Sequence, residues 1–394
     1  MRSAWKRNFG RTQSKPTHAK SIRSRLDTGQ CHSFFFDELH DLRDLFDLAH
    51  FSSLGHAPEH LPISLISTKI KLLQMNTDVI RTERPTTNSK LFAHTRWDAI
   101  PALAGLFHLA YFLGLFFLYP HAPLWIMLIL GFVYSLMVNA NINGVGHNFI
   151  HNPFFRSTLL NRLFGVTQSV ACCFSQTYYD AVHMQHHKGN ADRPNEKAET
   201  IDWISIYKHG HDGEAESPWS YVFLSFFRDD IGAIRRELRK RGKKELIWGN
   251  IELAAFAATL FVMFLFNWRY VIFYFLPFFY LGHCFSYLNG YYRHYGANPD
   301  KPIAWGVSSY GKIYNWLFFY NGYHAEHHFR PKVHWTKMEA FRQSITALQK
   351  QEGVRTIKRA HMLGFLDSSL PKRKTGVSPV TADMPLACRD ESTG

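Results

Sequence analysis

Four apolar blocks of membrane-crossing length dominate this chain. The first runs from Ile100 to Tyr119 and the second from Ala122 to Val138, with only Pro120 and His121 between them. The third, Leu246 to Phe266, and the fourth, Tyr270 to Leu288, repeat the pattern around a short turn at Asn267 to Arg269. A helix needs roughly 20 apolar residues to cross about 30 Å of hydrocarbon, so each pair reads as a tight transmembrane hairpin. The expected fold is therefore an all-α integral membrane protein of two helical hairpins, four spans in all, under which a cytosolic helical cap gathers the polar remainder. A mean hydropathy of −0.21 excludes a chain that is membrane throughout, and 46% hydrophobic residues clustered in this way exclude a wholly disordered one.

Charge orients the hairpins. The tight turns hold one basic residue, Arg269, whereas 15 Lys and Arg precede the first block, 14 lie between residues 144 and 248, and 15 follow residue 292. Basic segments stay on the cytoplasmic side, which places both termini and the long middle segment there. A net charge of +14 also suits nucleic acid, but the chain carries no zinc-finger or RNA-binding signature, and aromatic-rich apolar blocks favour anionic membrane lipid as partner over nucleic acid. The basic run IRRELRKRGKKELIW, residues 234 to 248, reads as a lipid anchor leading into the third block, and less simply as a docking face for an acidic redox protein. The segment from Leu159 to Tyr179 is only moderately apolar and reads as an interfacial helix beneath the bilayer, with a fifth crossing as the alternative.

Three parts follow along the chain. Residues 1–90 form a basic extension in which residues 1–30 carry eight Lys or Arg against the single acid Asp27, with a short acidic helix expected at residues 34–51. Met75 offers an alternative start directly ahead of the first block. Residues 91–345 hold the membrane domain, and residues 346–394 read as a cytosolic, largely disordered tail. The five cysteines, Cys31, Cys172, Cys173, Cys284 and Cys388, form no C-x-x-C pair, so neither a disulfide framework nor a thiolate metal site is indicated.

The histidines carry the chemistry. Of 23 in the chain, eight fall in three clusters: His147 and His151 in GHNFIHNPFF, His183, His186 and His187 in HMQHHKGN, and His324, His327 and His328 in NGYHAEHHFRP. At this His frequency chance predicts roughly 0.08 copies of H-x-x-H-H, and two are present. Spacings of three and four stack imidazoles on one face of a helix. The first cluster follows the second block, the third follows the fourth block, and the middle one lies between the hairpins, so all three fall on one side of the membrane. Neutral imidazole binds iron, zinc, copper or nickel. Eight exceed the four of one tetrahedral zinc and suit a dinuclear site. Soluble di-iron proteins use Glu-x-x-His pairs, and none occurs here.

The order H-x-x-x-H, H-x-x-H-H, H-x-x-H-H, with the last after the second hairpin, resembles the membrane fatty acid desaturase superfamily, which includes acyl desaturases, related acyl hydroxylases and carotenoid ketolases. The resemblance spans about residues 95 to 345. It implies a cytosolic site of two iron ions held by histidines, using O2 as co-substrate to remove hydrogen from an unactivated C–H bond of a lipid or acyl substrate. It also implies a further ligand just beyond the last span, where His294 stands in NGYYRHYG. Some members carry an Asn four residues before that His to hold a metal-bound water; here the position is Gly290, with Asn289 one residue further back.

Asn143 lies on the stripe Asn139, Asn143, His147, His151 and is a candidate for orienting an imidazole, as are Asp180, three residues before His183, and Glu326 inside the third box. Each also fits an ordinary helix-packing role. His283, eleven residues before His294, is too far along a helix to reach the metal, so an interhelical hydrogen bond or a channel wall is its expected place. The chain shows no haem, flavin, nicotinamide or iron–sulfur motif, which implies an external electron donor, a ferredoxin or a b-type cytochrome with its reductase. Desaturation is the favoured outcome; hydroxylation or ketone formation shares the same scaffold. Of the alternatives, a zinc membrane hydrolase or a metal transporter, a zinc protease should show H-E-x-x-H, which is missing, and a transporter should place its ligands near the bilayer midplane.

Overall fold

The computed structural model describes residues 89–188, 200–211 and 213–371. The basic arm, the expected acidic helix at 34–51 and Met75 lie outside the described residues, as does the chain beyond 371. What is described is mostly helical, with one small pair of strands.

Helix α1 (Ala99–Leu118) and helix α2 (Leu124–Ala140) form the first hairpin. Helix α1 buries Ala102, Gly105, His108, Phe112 and Leu115, a row at helical spacing, while Leu103 and Phe107 on its other side are 64% and 62% exposed. A helix apolar all round belongs in a core or a membrane. A π-helical turn, Asn141–Gly146, extends α2 into the short helix α3 (His147–His151). Such wide turns are frequent at functional sites, and this one ends on the first His pair.

The segment expected as one helix over 159–179 is two. Helix α4 (Thr158–Cys172) stops where Cys173 takes a left-handed backbone, φ 51°, and helix α5 (Gln176–His187) begins afresh behind Ser175. Ser175 Oγ accepts from Tyr178 N at 3.1 Å, and the buried carboxylate of Glu252 accepts from Thr177 N at 2.7 Å, Thr177 Oγ1 at 2.8 Å and Ser175 Oγ at 2.6 Å. A capping hydroxyl and an anion at the free N–H groups are what a helix N-terminus favours. The second His box therefore sits at the end of its own short helix.

Helix α6 (Pro218–Leu224) and a 3-10 turn, Ser225–Phe227, lead to the basic helix α7 (Ile231–Arg241). Helix α8 (Lys243–Arg269) follows, then a second π-helical turn (Tyr270–Phe275) and helix α9 (Leu276–His294). Asn267 leaves the helical region, φ −154° and ψ 79°, and its Oδ1 accepts from Tyr270 N at 3.1 Å. It thereby ends one helix and caps the next. Helix α9 packs along α2: a Cβ on Gly131 would meet the Phe278 ring at 2.3 Å and one on Gly282 would meet Val138 at 2.7 Å, so small residues set the close approach. Three stretches among the described residues are long and apolar enough to cross a membrane: Arg96–Leu118, Leu124–His151 and Lys243–His294, the last of 52 residues and containing the break at Asn267.

Beyond α9 come strand β1 (Ser308–Ser309), helix α10 (Lys312–Leu317), helix α11 (His324–Phe329) and helix α12 (Met338–Gln351). The expected boundary at 345 falls inside α12. The chain then returns: strand β2 (Thr356–Ile357) pairs parallel with β1, and a 3-10 helix, His361–Leu366, packs on α9. His361 is fully buried, its Nε2 2.7 Å from the Val307 carbonyl and its Nδ1 3.0 Å from Tyr314 Oη. Residues 346–371 are thus part of the fold, which corrects the expected disordered tail over that stretch; Phe341, Ile345, Ile357 and Leu370 supply the apolar burial that holds it.

Candidate metal centre

Four pieces of chain bring the histidines together: α3, the end of α5, the end of α9, and α11. The last arrives by a strained route. Phe319 and Tyr320 both adopt positive φ, 49° and 62°, a cost for bulky residues. Asn315 holds the turn, its Oδ1 accepting from Gly322 N at 3.0 Å and its Nδ2 donating to the Ser309 carbonyl at 2.7 Å. A side chain on Gly322 would meet Asn315 and the Ser309 carbonyl at 2.4 Å, so only glycine fits there.

The imidazoles form two groups whose ligand atoms lie within 4.8 Å of one another: His147, His151, His183 and His327 in one, His186, His294, His324 and His328 in the other. His187 adjoins the first group, its Nε2 3.0 Å from the Nε2 atoms of both His183 and His327. Further Nε2 pairs lie at 2.8 Å (His147–His327), 2.8 Å (His151–His183), 2.9 Å (His294–His324) and 3.2 Å (His186–His328). The boxes are shared out: box two sends His183 to one group and His186 to the other, and box three divides in the same way.

This donor set fits two metal ions. Ligands bound at about 2.1 Å and set at right angles stand about 3.0 Å apart, close to the separations between these nitrogen pairs. The Nδ1 atoms of His147 and His324 are buried with no partner, leaving the ring orientation to packing. His183, His187, His324, His327 and His328 are all held well below the ordinary imidazole value of 6.5, by burial first and by neighbouring imidazoles next, with Arg293 adding its repulsion at His324 and His327. They are neutral at pH 7, the form that binds metal.

The same shifts make the metal-free protein acid-sensitive. Unfolded, these groups take up protons near pH 6.5; folded, they do so only at lower pH. Stability is fully present above about 6.5 and is lost as pH falls through that value toward the depressed folded values, because the unfolded state then binds more protons. Thermal unfolding of the metal-free protein in detergent, from about pH 8 to about pH 5, should show this fall, and a His183→Gln, His187→Gln variant should flatten it. An equally steep profile in the variant would contradict the assignment.

The expected supporting residues go elsewhere. Asp180 meets Arg241 at 3.4 Å. Glu326 accepts from Ser308 Oγ, Tyr310 Oη and Gln349 Nε2. Asn289 accepts from Tyr314 Oη and Met362 N. Asn143 donates to Asn139 and Ser286 and accepts from Arg293 Nη1 at 2.9 Å. Among the described residues none of these four bonds an imidazole. A carboxylate that does meet a clustered imidazole is Asp202, 1% exposed, whose Oδ2 lies 2.7 Å from His186 Nδ1 while its Oδ1 accepts from Ile204 N. A lone Asp in a loop carries no spacing signal that could have singled it out. Arg293 is also new, a buried guanidinium next to His294 in the chain. His334 bonds Asp98 at 2.8 Å, away from the imidazole groups, and ties the third-box segment to the start of α1.

A cavity of about 380 Å³ opens beside the imidazoles. His147, His183, His186, His294 and His324 line one part of it, and Phe174, Phe226, Leu253 and Phe256 line the rest with other largely apolar residues. His283 is part of this wall, and its Nε2 also lies 3.4 Å from the Cys172 carbonyl. Sites for small molecules commonly have such a volume and such a mix of apolar wall and few polar groups. The family model described as fatty acid desaturase matches residues 122–360, more than half of the chain and all nine of these histidines. No curated protein matches the chain.

Proposed function

The chain belongs to the fatty acid desaturase family, and on that footing we propose that it is an O2-dependent di-iron lipid desaturase that introduces a double bond into a fatty acyl chain. Membership makes it an oxidoreductase of fatty acyl lipids, and its apolar helices suit a membrane protein. The observation that carries the finer reading is the pairing of two four-imidazole groups along one largely apolar cavity. His147, His151, His183 and His327 would hold one iron and His186, His294, His324 and His328 the other, with His187 beside the first. When bound, the iron pair supplies activation of O2 and removal of hydrogen from an unactivated C–H bond, a reaction no side chain can perform alone.

The chain's own residues do the rest. Asp202 accepts from His186 Nδ1 and so points its Nε2 toward the other imidazoles. Glu252 and Ser175 hold the N-terminus of α5 and with it the second box. The apolar cavity wall orients an alkyl chain and keeps water from it. Removing two hydrogens while reducing O2 to two waters requires two further electrons and two protons, and an external donor protein, a ferredoxin or a b-type cytochrome with its reductase, would supply the electrons. We read the 52-residue stretch Lys243–His294 as two crossings that turn at Asn267, giving four spans, with both termini and the imidazoles cytoplasmic by the charge rule.

Hydroxylation or ketone formation is the second reading, since both begin with the same hydrogen removal and the imidazoles do not distinguish them. Expression in a lipid-defined host, followed by mass spectrometry of its lipids, decides. Loss of two hydrogens is the expected result; a gain of one oxygen means hydroxylation, and a gain of one oxygen with loss of two hydrogens means a ketone. Lipids left unchanged by metal-loaded protein supplied with a donor would overturn the proposal.

A further inference from the structure

The open end of the cavity runs beside α9, between the level of Tyr287, which shares a pocket with Asp229, and that of Tyr280, which Phe227 meets. Among the residues lining the cavity, Phe227, Asp229 and Ile231 are the exposed ones. Phe227 is 70% exposed and stands with its ring 5.7 Å from Tyr280. Its neighbour Phe226 contacts Phe279, Tyr280 and His283 at ring separations of 5.7, 6.0 and 5.1 Å. Tyr221, one turn earlier, instead meets Tyr287 and Tyr291. From Tyr221 to Phe227 the chain therefore climbs α9, away from His294. Tyr280 precedes His294 by 14 residues, about 21 Å along a helix, and falls within the stretch long and apolar enough to cross a membrane.

The rim agrees with that depth. Phe223 and Leu224 also face outward, 49% and 46% exposed, and an apolar rim of this kind is costly in water. On the other side of the opening the chain turns back through Asp229 into α7, whose Arg236, Arg239 and Lys240 are exposed. Apolar residues on one side and a row of cations on the other is how a protein surface meets the boundary between hydrocarbon and anionic headgroups.

We propose that the cavity is filled sideways from the bilayer, by one alkyl chain of a membrane phospholipid that slides in beside Phe227 and Ile231 while its headgroup stays at the cations of α7. The proposal rests on the desaturase reading and names its substrate class: a bilayer lipid, not an acyl group delivered from water on a soluble carrier. Gly290, one turn before His294, lines the cavity, and a Cβ there would meet nothing within 4 Å. A side chain at 290 would thus extend into the cavity without its Cβ pressing on the wall.

The test is photolabelling of the purified full-length protein in bilayers of a phospholipid bearing a diazirine midway along one acyl chain. Adducts are expected on the peptides containing Phe227 and Ile231 and, deeper, on the peptide containing Val182. In Gly290→Leu the Val182 adduct should be lost and the Phe227 adduct kept. Adducts confined to the outward faces of α1 and α2 would overturn the proposal, as would a Val182 adduct that persists in Gly290→Leu, or labelling of the cavity by a soluble diazirine-bearing acyl thioester and not by the phospholipid. Labelling needs no turnover, so the two readings fail separately: a labelled cavity without lipid oxidation removes the enzyme reading, and lipid oxidation without a labelled cavity removes this one.

Discussion

His327→Ala should abolish turnover and release at least one of the two proposed ions while leaving membrane insertion intact. The imidazole of His327 is buried, and its Nε2 lies 2.8 Å from that of His147 and 3.0 Å from that of His187. It therefore joins ligands from three stretches of chain, and its loss leaves the first group with three members. The neighbouring imidazoles crowd one another once no metal draws their lone pairs together. Insertion depends on the apolar helices α1, α2, α8 and α9, none of which contains residue 327. Metal analysis and turnover on the purified variant check the result, with size-exclusion behaviour as the control for folding. A His327→Ala protein that keeps full metal content and full activity would remove the di-iron reading.

Asp202→Ala should weaken metal binding by about 10- to 100-fold, the usual cost of losing the group that orients a ligating histidine. The Asp202 carboxylate accepts a hydrogen bond from His186 Nδ1–H and so leaves the ligating lone pair on Nε2. Alanine removes both the acceptor and its charge inside a site where Asp202 is 1% exposed. Asp202→Asn keeps a carbonyl oxygen of the same reach and loses only the charge, so its affinity should fall between those of the wild type and the Ala variant. Competition with a chelator of known affinity gives the order. Equal affinities in all three proteins would show that His186 is oriented by its packing alone.

Much of this was readable from residue order. The first hairpin was expected at Ile100–Tyr119 and Ala122–Val138, and the helices run over Ala99–Leu118 and Leu124–Ala140, because apolar runs and a Pro-containing turn are local features. Family membership was readable for the same reason, since the His spacings lie within single helical turns. The break at Cys173 was not readable. It depends on Glu252, some 75 residues away in sequence, accepting the N–H groups that open α5. The return of residues 354–371 was missed because its anchors, His361 on Val307 and β2 on β1, are contacts with distant chain.

The amino-acid order by itself determined the apolar helices, the three His boxes and the family, since each is written in spacings shorter than one element. It could not say which imidazole faces which. His183 and His186 sit less than one turn apart on α5, yet one faces His147, His151 and His327 and the other faces His294, His324 and His328. That division, together with Asp202 behind His186 and the cavity opening at Phe227 and Ile231, arose only when separate helices packed. The direction of a ring is set by the neighbours it meets, and those neighbours come from parts of the chain that local spacing does not connect.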